Sequence, residues 1–510
     1  MPSYQDNKRI AKNTLLLYIR MFLILGVSLY TFRLLLQNLG IDDYGIYNVV
    51  GGIVVLCSFL SNAIRQSTQR YIAFFLGEGK EQQLSEIFSM SINVHVIVAF
   101  GIVLIAETLG VWFINSKLNI PADSMTAVSV VFQFSIFAFV AQLMLVPYQA
   151  TIMAYEHMSF YAYFSIVEVI LRLGAVLMLD LFDSDRLEIY SAAVAMTTIV
   201  IWLGYYVYCK RKFSYCRYIR FWSGRLFREF FSFSTWNLIC GMAILTMTQG
   251  TNLLFNICCG VAVNAALGIA NQVSNAINNF VVNFQTAFNP QIIKLYANDE
   301  IKECNALVSN ASKYSFILIA MLGVPMILCC NDILKIWLVS IPDYAVDFTQ
   351  LIIAYFIIDA VSSPFNTAVQ AVGKLKKFSI IISVIQISNL PIAYYLLSVG
   401  CSPVWVIVLR IGLNILCYII KIWIVSSLTA FNIALYLKNV MLPIVTTLII
   451  AYPVSYLVNN SLSNRVPIFV PVALSVILLS TCCYRLILCH SERVYIKVKI
   501  VSILNRFNLK

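Results

Sequence analysis

Apolar residues run along this chain in blocks about as long as a membrane is thick, separated by short polar stretches. A helix needs about 20 such residues to cross the hydrocarbon core, where no water can satisfy a backbone amide or carbonyl left unpaired. Fourteen blocks meet that length: 13–36, 46–64, 87–114, 125–150, 161–182, 188–208, 230–257, 263–288, 313–330, 347–368, 378–397, 404–425, 439–458 and 468–488. The block at 263–288 is the least hydrophobic, and a count of twelve stays open if one pair re-enters the membrane. The first apolar run, Leu15 to Leu36, exceeds the signal-peptide h-region of about 7–15 residues. The pattern predicts an all-α polytopic membrane protein.

Composition narrows the classes further. Hydrophobic residues make up 60% of the 510 positions and charged ones 11%, whereas a soluble chain carries about 25% charged residues. Soluble enzymes, disordered scaffolds and secreted disulfide proteins are thereby excluded. The 14 cysteines stand singly or as neighbours (Cys258–Cys259, Cys329–Cys330, Cys482–Cys483). Neighbours on a helix point about 100° apart and cannot jointly hold zinc. Three histidines, with no HExxH, GxSxG or P-loop spacing, give no expectation of metal, cofactor, ATP or catalysis.

The net charge of +12 records topology. With the N-terminus inside, 25 of the 35 Lys and Arg fall on inner segments, four on outer loops and six within spans. Basic residues accumulate on the cytoplasmic side, so both termini are expected there. Cys209–Phe230, seven basic residues among aromatics, reads as an interfacial linker helix on anionic lipid and not as a nucleic-acid site. The longest outer loop, about residues 331–346, is too short to carry a catalytic domain, which counts against glycan polymerases and ligases.

The chain also repeats itself. With Pro147 placed over Pro364, Gln133 falls on Gln350, Ala150 on Thr367, Ala154 on Ala371 and Tyr161 on Phe378, an offset of 217. QRYIAFFLGEGKEQ (from Gln69) matches PQIIKLYANDEIKE (from Pro290) at an offset of about 220. Spans 1–6 and 7–12 thus form two copies of a six-helix unit sharing one orientation and related by a pseudo-two-fold axis. Such two-lobe architectures belong to alternating-access transporters. The expected organisation is an N-terminal lobe (1–208), a basic linker (209–229), a C-terminal lobe (230–425), and two further helices with a basic tail (426–510).

Several stretches resemble a known family: LGIDDYGIYNVVGGIV (Leu39–Val54), QRYIAFFLGEG (Gln69–Gly79), LNIPADSM (Leu118–Met125) and VPYQATIMAYEHMSFYAY (Val146–Tyr163). The most specific is NAALGIANQVSNAINNFVVNFQTAFNPQIIKLYA (Asn264–Ala297). Together they resemble the polysaccharide-transport (Wzx-like) flippases of the multidrug/oligosaccharidyl-lipid/polysaccharide exporter superfamily, over roughly residues 8–430. The resemblance implies twelve to fourteen helices around a central cavity in the bacterial inner membrane. It implies translocation of an undecaprenyl-pyrophosphate-linked oligosaccharide for surface polysaccharide or O-antigen synthesis. A monomer is expected, with membrane lipids and polysaccharide-assembly enzymes as candidate partners. The rival readings are a small-molecule (multidrug-type) antiporter of the same superfamily and a membrane glycan-modifying enzyme.

Charges inside the spans carry the candidate chemistry, because each costs about 2.5–3.5 kcal/mol at mid-bilayer and needs a partner, water or a role. Arg20, Arg33, Arg172 and Arg410 are candidates for an electropositive cavity, since a guanidinium offers a phosphate two parallel hydrogen bonds. Arg20 and Arg33, thirteen residues apart, are turned about 140° from each other, so at most one faces a given cavity. Glu168 and Arg172 are spaced i,i+4 and can pair. Asp359, with no charged neighbour on its own helix, and Glu168 are the candidates for coupling to H⁺ or Na⁺. Lys421 and Arg485 lie near span ends, where snorkelling suffices. Asn264, Asn271, Asn275 and Asn278 form one stripe with Gly268, suited to sugar hydroxyls or to interhelical hydrogen bonds. No basic residue stands between Phe230 and Cys259, which favours the N-terminal lobe for pyrophosphate.

Overall fold

The computed structural model describes residues 16–28, 30–31, 34–35, 37–39, 47, 58–117, 125–181, 185–337, 341–462 and 469–494. Helix accounts for nearly all of them. In chain order they are α1 (Leu16–Ser28), α2 (Ser58–Gly77), α3 (Glu81–Ile105, continued by a π-turn at Ala106–Gly110 and by Val111–Lys117), α4 (Met125–Ala154) and α5 (Met158–Leu177). Then follow α6 (Arg186–Lys212), α7 (Gly224–Cys259), α8 (Val261–Ala297), α9 (Ile301–Leu328) and α10 (Ala345–Val372). The last are α11 (Leu375–Ser398), α12 (Val404–Thr429), α13 (Ile433–Asn460) and α14 (Phe469–Ile487).

Among the described residues eleven helices are both long and apolar enough to cross a membrane. The other three have identifiable reasons. The described part of α1 is short, α2 carries the polar run Arg65–Arg70, and α8 is diluted by its amides. Several helices overrun the apolar blocks: α7 begins at Gly224, α8 continues to Ala297, and α9 begins at Ile301. Outside the hydrocarbon a helix needs only its own hydrogen bonds, so the apolar pattern underestimates its length. The linker differs from expectation. α6 runs on to Lys212, residues 213–223 are non-helical, and α7 starts at Gly224, so no separate interfacial helix forms. Side chains of α3 hold this stretch instead. Ser89 Oγ accepts from the Ile219 amide at 3.0 Å, Asn93 Nδ2 donates to the Phe221 carbonyl at 2.9 Å, and Tyr218 donates to Asn93 Oδ1 at 3.1 Å.

The backbone repeats with the sequence. α4 ends on Glu156 at φ 59° and α10 ends on Gly373 at φ 82°, 217 residues apart. α2 ends at Gly79 (φ 68°) and α8 at Asp299 (φ 61°), 220 apart. At the second pair the hydrogen bonds recur as well, Lys80 N to Phe75 O at 3.2 Å and Glu300 N to Leu295 O at 2.9 Å. A left-handed residue closing a helix frees the chain to reverse, and the two pairs of closures fall at the two offsets, 217 and 220, that the sequence repeat shows. Pro147 and Pro364 likewise lie inside continuous helices.

The chain forms two compact units, residues 1–241 with 286–300, and residues 242–285 with 301–510. In the first, Val128, Val131, Phe132, Leu143, Val176 and Leu187 are the centre of the core. In the second, Phe255, Leu267, Phe348, Ile352 and Ile407 play that part. Close packing replaces water expulsion as the cohesive force between helices in lipid, so small residues matter. Gly323 of α9 is an example, since a Cβ there would stand 2.8 Å from Ile353 Cγ2 of α10.

Past α14 the chain is tied to α9. Glu492 accepts from Lys313 Nζ at 2.6 Å, from the Tyr314 hydroxyl at 2.5 Å and from the Cys489 amide at 2.7 Å. Burial pushes the Glu492 carboxyl up, but the hydrogen bonds and the Lys313 charge outweigh it, and its pKa lies below the ordinary carboxylate range. A carboxyl depressed on folding stabilises fully above its unfolded value, about 4.3, and loses that contribution as pH falls through its folded value. Thermal unfolding in detergent between pH 7 and pH 3 is therefore expected to show a stability loss on acidification that Glu492→Gln reduces. Equal slopes in both proteins would refute it.

Candidate functional site

In each unit, helices distant in sequence bring candidate charged residues together. In the first unit Arg20 of α1 stacks on Tyr161 of α5, its guanidinium carbon 4.5 Å from the ring centre, with one nitrogen 3.4 Å from the Tyr161 hydroxyl. Cation–π stacking of this kind stabilises a cation that has left bulk water. The Nε of Arg20 is buried without a hydrogen-bond partner among the described residues. Tyr205 of α6 lies within electrostatic reach of Tyr161, Glu168 and Arg20, so these side chains form one group. Glu168 and Arg172 do pair, at 2.9 Å on the exposed face of α5. Arg33 lies outside the described residues.

The second unit holds a polar seam between α10 and α12. Arg410, 5% exposed, stacks on Tyr355 at 4.3 Å, and its Nε has no hydrogen-bond partner among the described residues. Asn414 Nδ2 donates to the Tyr355 carbonyl at 3.3 Å. One turn along α10 from Tyr355 stands Asp359, half-buried, whose carboxylate makes no hydrogen bond or ion pair to a described residue. Both Asp359 and Arg410 act electrostatically on Tyr355. Further along, Lys421, 4% exposed, donates to Ser362 Oγ at 3.1 Å, and Ser362 donates to the Asp359 carbonyl at 3.1 Å. The seam thus contains two cations and one carboxylate.

Lys421 corrects the snorkelling expectation. The apolar run ends near residue 425, but the helix continues to Thr429, which leaves Lys421 two turns from its end and enclosed. Arg485, by contrast, is exposed within the last turn of α14. Tyr355 was not singled out from sequence, Tyr161 entered only as a repeat position, and Lys421 only as a snorkelling charge. The spacing 410, 414, 417, 421 places Arg410, Asn414 and Lys421 along one face of α12, which was the available signal.

The amides of α8 divide into two sorts. Gln285 is a structural junction: its Nε2 donates to Ser315 Oγ at 3.3 Å and to the Ala360 carbonyl at 3.2 Å, and its Oε1 accepts from Ser363 at 2.9 Å. Asn271, Asn275 and Asn278 make no side-chain hydrogen bond to a described residue; Asn275 is exposed and the other two are half-buried. The side chain of Asn264 lies outside the described part. No group of three or more His, Cys, Asp or Glu among the described residues could hold a metal ion.

No protein-family profile and no curated protein sequence matches this chain. Its fold, however, is shared with solved transporters. A MATE point mutant superposes with a TM-score of 0.69 at 11% identity, covering 82% of this chain and 97% of that one. A multidrug resistance MATE family transporter of the MOP superfamily, in an outward-facing conformation, gives 0.67 at 12%, covering 83% and 97%. A MOP superfamily transporter from Pyrococcus furiosus, whose binding pocket is described as reversed in polarity, gives 0.66 at 11%, covering 82% and 96%.

Proposed function

We propose that this chain is a flippase of the MOP superfamily. It moves a lipid-linked oligosaccharide across the bacterial inner membrane by alternating access, with both termini in the cytoplasm. The observation that carries the reading is the stripe Asn271, Asn275 and Asn278. Amides within a membrane-spanning helix are costly unless they meet protein or water, and these meet no hydrogen-bonding partner among the described residues. A hydrated path contacting sugar hydroxyls accounts for them, because an amide both donates and accepts. Arg20 supplies a cation held on Tyr161 with an unsatisfied Nε, suited to a pyrophosphate passing through low dielectric. Asp359 is the coupling carboxylate for H⁺ or Na⁺, and Arg410 sets its field from the facing helix. Arg172, neutralised by Glu168, has a secondary part.

A second reading, a small-molecule antiporter, has the fold neighbours in its favour. Analysis of lipid-linked glycans after deletion of the gene separates the two. The flippase reading expects a complete oligosaccharide to accumulate on its carrier, facing inward, with surface glycan lost. Normal carrier pools and intact surface glycan, together with new sensitivity to small toxic compounds, would establish the antiporter instead.

A further inference from the structure

The first unit carries a groove that the transport reading does not use. α5 and α6 meet closely at Gly204, where a Cβ would stand 2.4 Å from the Phe164 ring. Phe164 stacks on Phe160 with centroids 4.5 Å apart, and Phe160 stacks on Tyr208 at 3.6 Å. Tyr205 packs edge-on against both phenylalanines. Phe160, Phe164 and Tyr208 wall a cavity of about 570 Å³, lined also by Leu203 and Val207 and, at the last turn of α6, by Arg211 and Lys212. Leu203 and Val207 are 45% and 42% exposed on an apolar spanning helix, a surface suited to lipid chains.

The two cations are the informative part. Neighbouring Lys210 is engaged by the Tyr206 hydroxyl at 3.0 Å, but Arg211 and Lys212 make no hydrogen bond or ion pair to a described residue. They stand in the last turn of a helix long and apolar enough to cross a membrane, beside Tyr208 and His157, whose hydroxyl and Nδ1 are 3.1 Å apart. A neutral hydrophobe leaves both charges unmatched, and a soluble polyanion leaves the aromatic wall unmatched. An anionic headgroup on an acyl chain satisfies both. The geometry points to a binding site for one anionic glycerophospholipid, with its chain against Phe160, Phe164 and Val207 and its phosphate between Arg211 and Lys212. The site is independent of what the protein transports.

The test is binding of phosphatidylglycerol to the purified full chain in neutral detergent, read by thermal stabilisation and by native mass spectrometry. Phosphatidylcholine and glycerol phosphate serve as comparison ligands. Wild type is expected to retain and be stabilised by phosphatidylglycerol well above either. The double variant Arg211→Gln/Lys212→Gln should raise the concentration for half effect by about 30-fold, each charge being worth roughly fivefold near an anionic headgroup. Val207→Trp fills the groove while keeping both charges, and is expected to displace the lipid too. Lys376→Gln/Lys377→Gln removes two equally exposed charges from α11 of the other unit and should change nothing. Three results would each overturn the site: an equal loss in the Lys376/Lys377 variant, unchanged binding in Val207→Trp, or equal stabilisation by glycerol phosphate or phosphatidylcholine. The first would indicate general surface charge and the second a headgroup patch without a groove.

Discussion

Asp359→Asn is expected to leave the protein folded and to cut gradient-driven transport by roughly 10- to 100-fold, within the range that 1–3 kcal/mol of coupling sets. The substitution preserves shape, and the carboxylate makes no hydrogen bond or ion pair to a described residue that its loss could break. What changes is charge. Asp359 is the one carboxylate of a seam whose cations, Arg410 and Lys421, are 5% and 4% exposed. A buried cation close to an ionised carboxylate is stabilised by it, and a proton or sodium ion arriving at that carboxylate changes the balance. On the proposed flippase reading, two protonation or ion-bound states of Asp359 give the α10–α12 contact two electrostatic states, which is what coupling to a gradient needs. The measurement is translocation of lipid-linked oligosaccharide in proteoliposomes with an imposed pH or sodium gradient. Gradient-independent exchange in the variant would show that the path is intact. Transport that stays undiminished and gradient-dependent removes Asp359 from the coupling.

What the sequence could and could not say about this seam follows from the range of the interactions. Eleven spans were legible because lipid imposes one local rule on every backbone group, and α8, low in hydropathy, is a helix marked by its length and stripe. Glu168 with Arg172 was legible because i,i+4 neighbours share a face, and they pair at 2.9 Å. The duplication was legible down to its turns, since the left-handed closures at Glu156 and Gly373 fall on the offset given by Pro147 and Pro364. The charges that share the seam with Asp359 were not legible. A search along its own helix finds no charge, whereas Arg410 comes from α12, 51 residues later. Periodicity orders the faces of one helix but does not say which face of another it meets. Lys421 was misread for a different reason, that hydropathy marks where the membrane ends and not where the helix does. The non-helical run 213–223 escaped because its hydrogen bonds go to Ser89 and Asn93, which no local pattern connects to it.

Lys294→Met is expected to be the most destabilising single change outside the cores, and the reason lies in an asymmetry. Lys294 Nζ meets Glu156 Oε1 at 2.9 Å, and Gln291 Nε2 donates to the other oxygen at 3.0 Å. The Glu156 side chain is 1% exposed and that of Lys294 is 22% exposed. Removing the lysine takes a cation away from a buried carboxylate, a change that costs about 3–5 kcal/mol. Removing the glutamate leaves a lysine that can still reach water. Glu156 also sits at φ 59°, where a residue other than glycine loses about 1–2 kcal/mol. Glu156→Gly therefore loses an ion pair but relieves the backbone, and a net change near zero is expected. In Lys294→Met/Glu156→Gly no charge is stranded, so most of the loss should be recovered. Thermal unfolding of the four proteins in one detergent at pH 7 completes the cycle. A Glu156→Gly loss as large as that of Lys294→Met would mean that the pair acts through the glutamate's contacts and not through its burial.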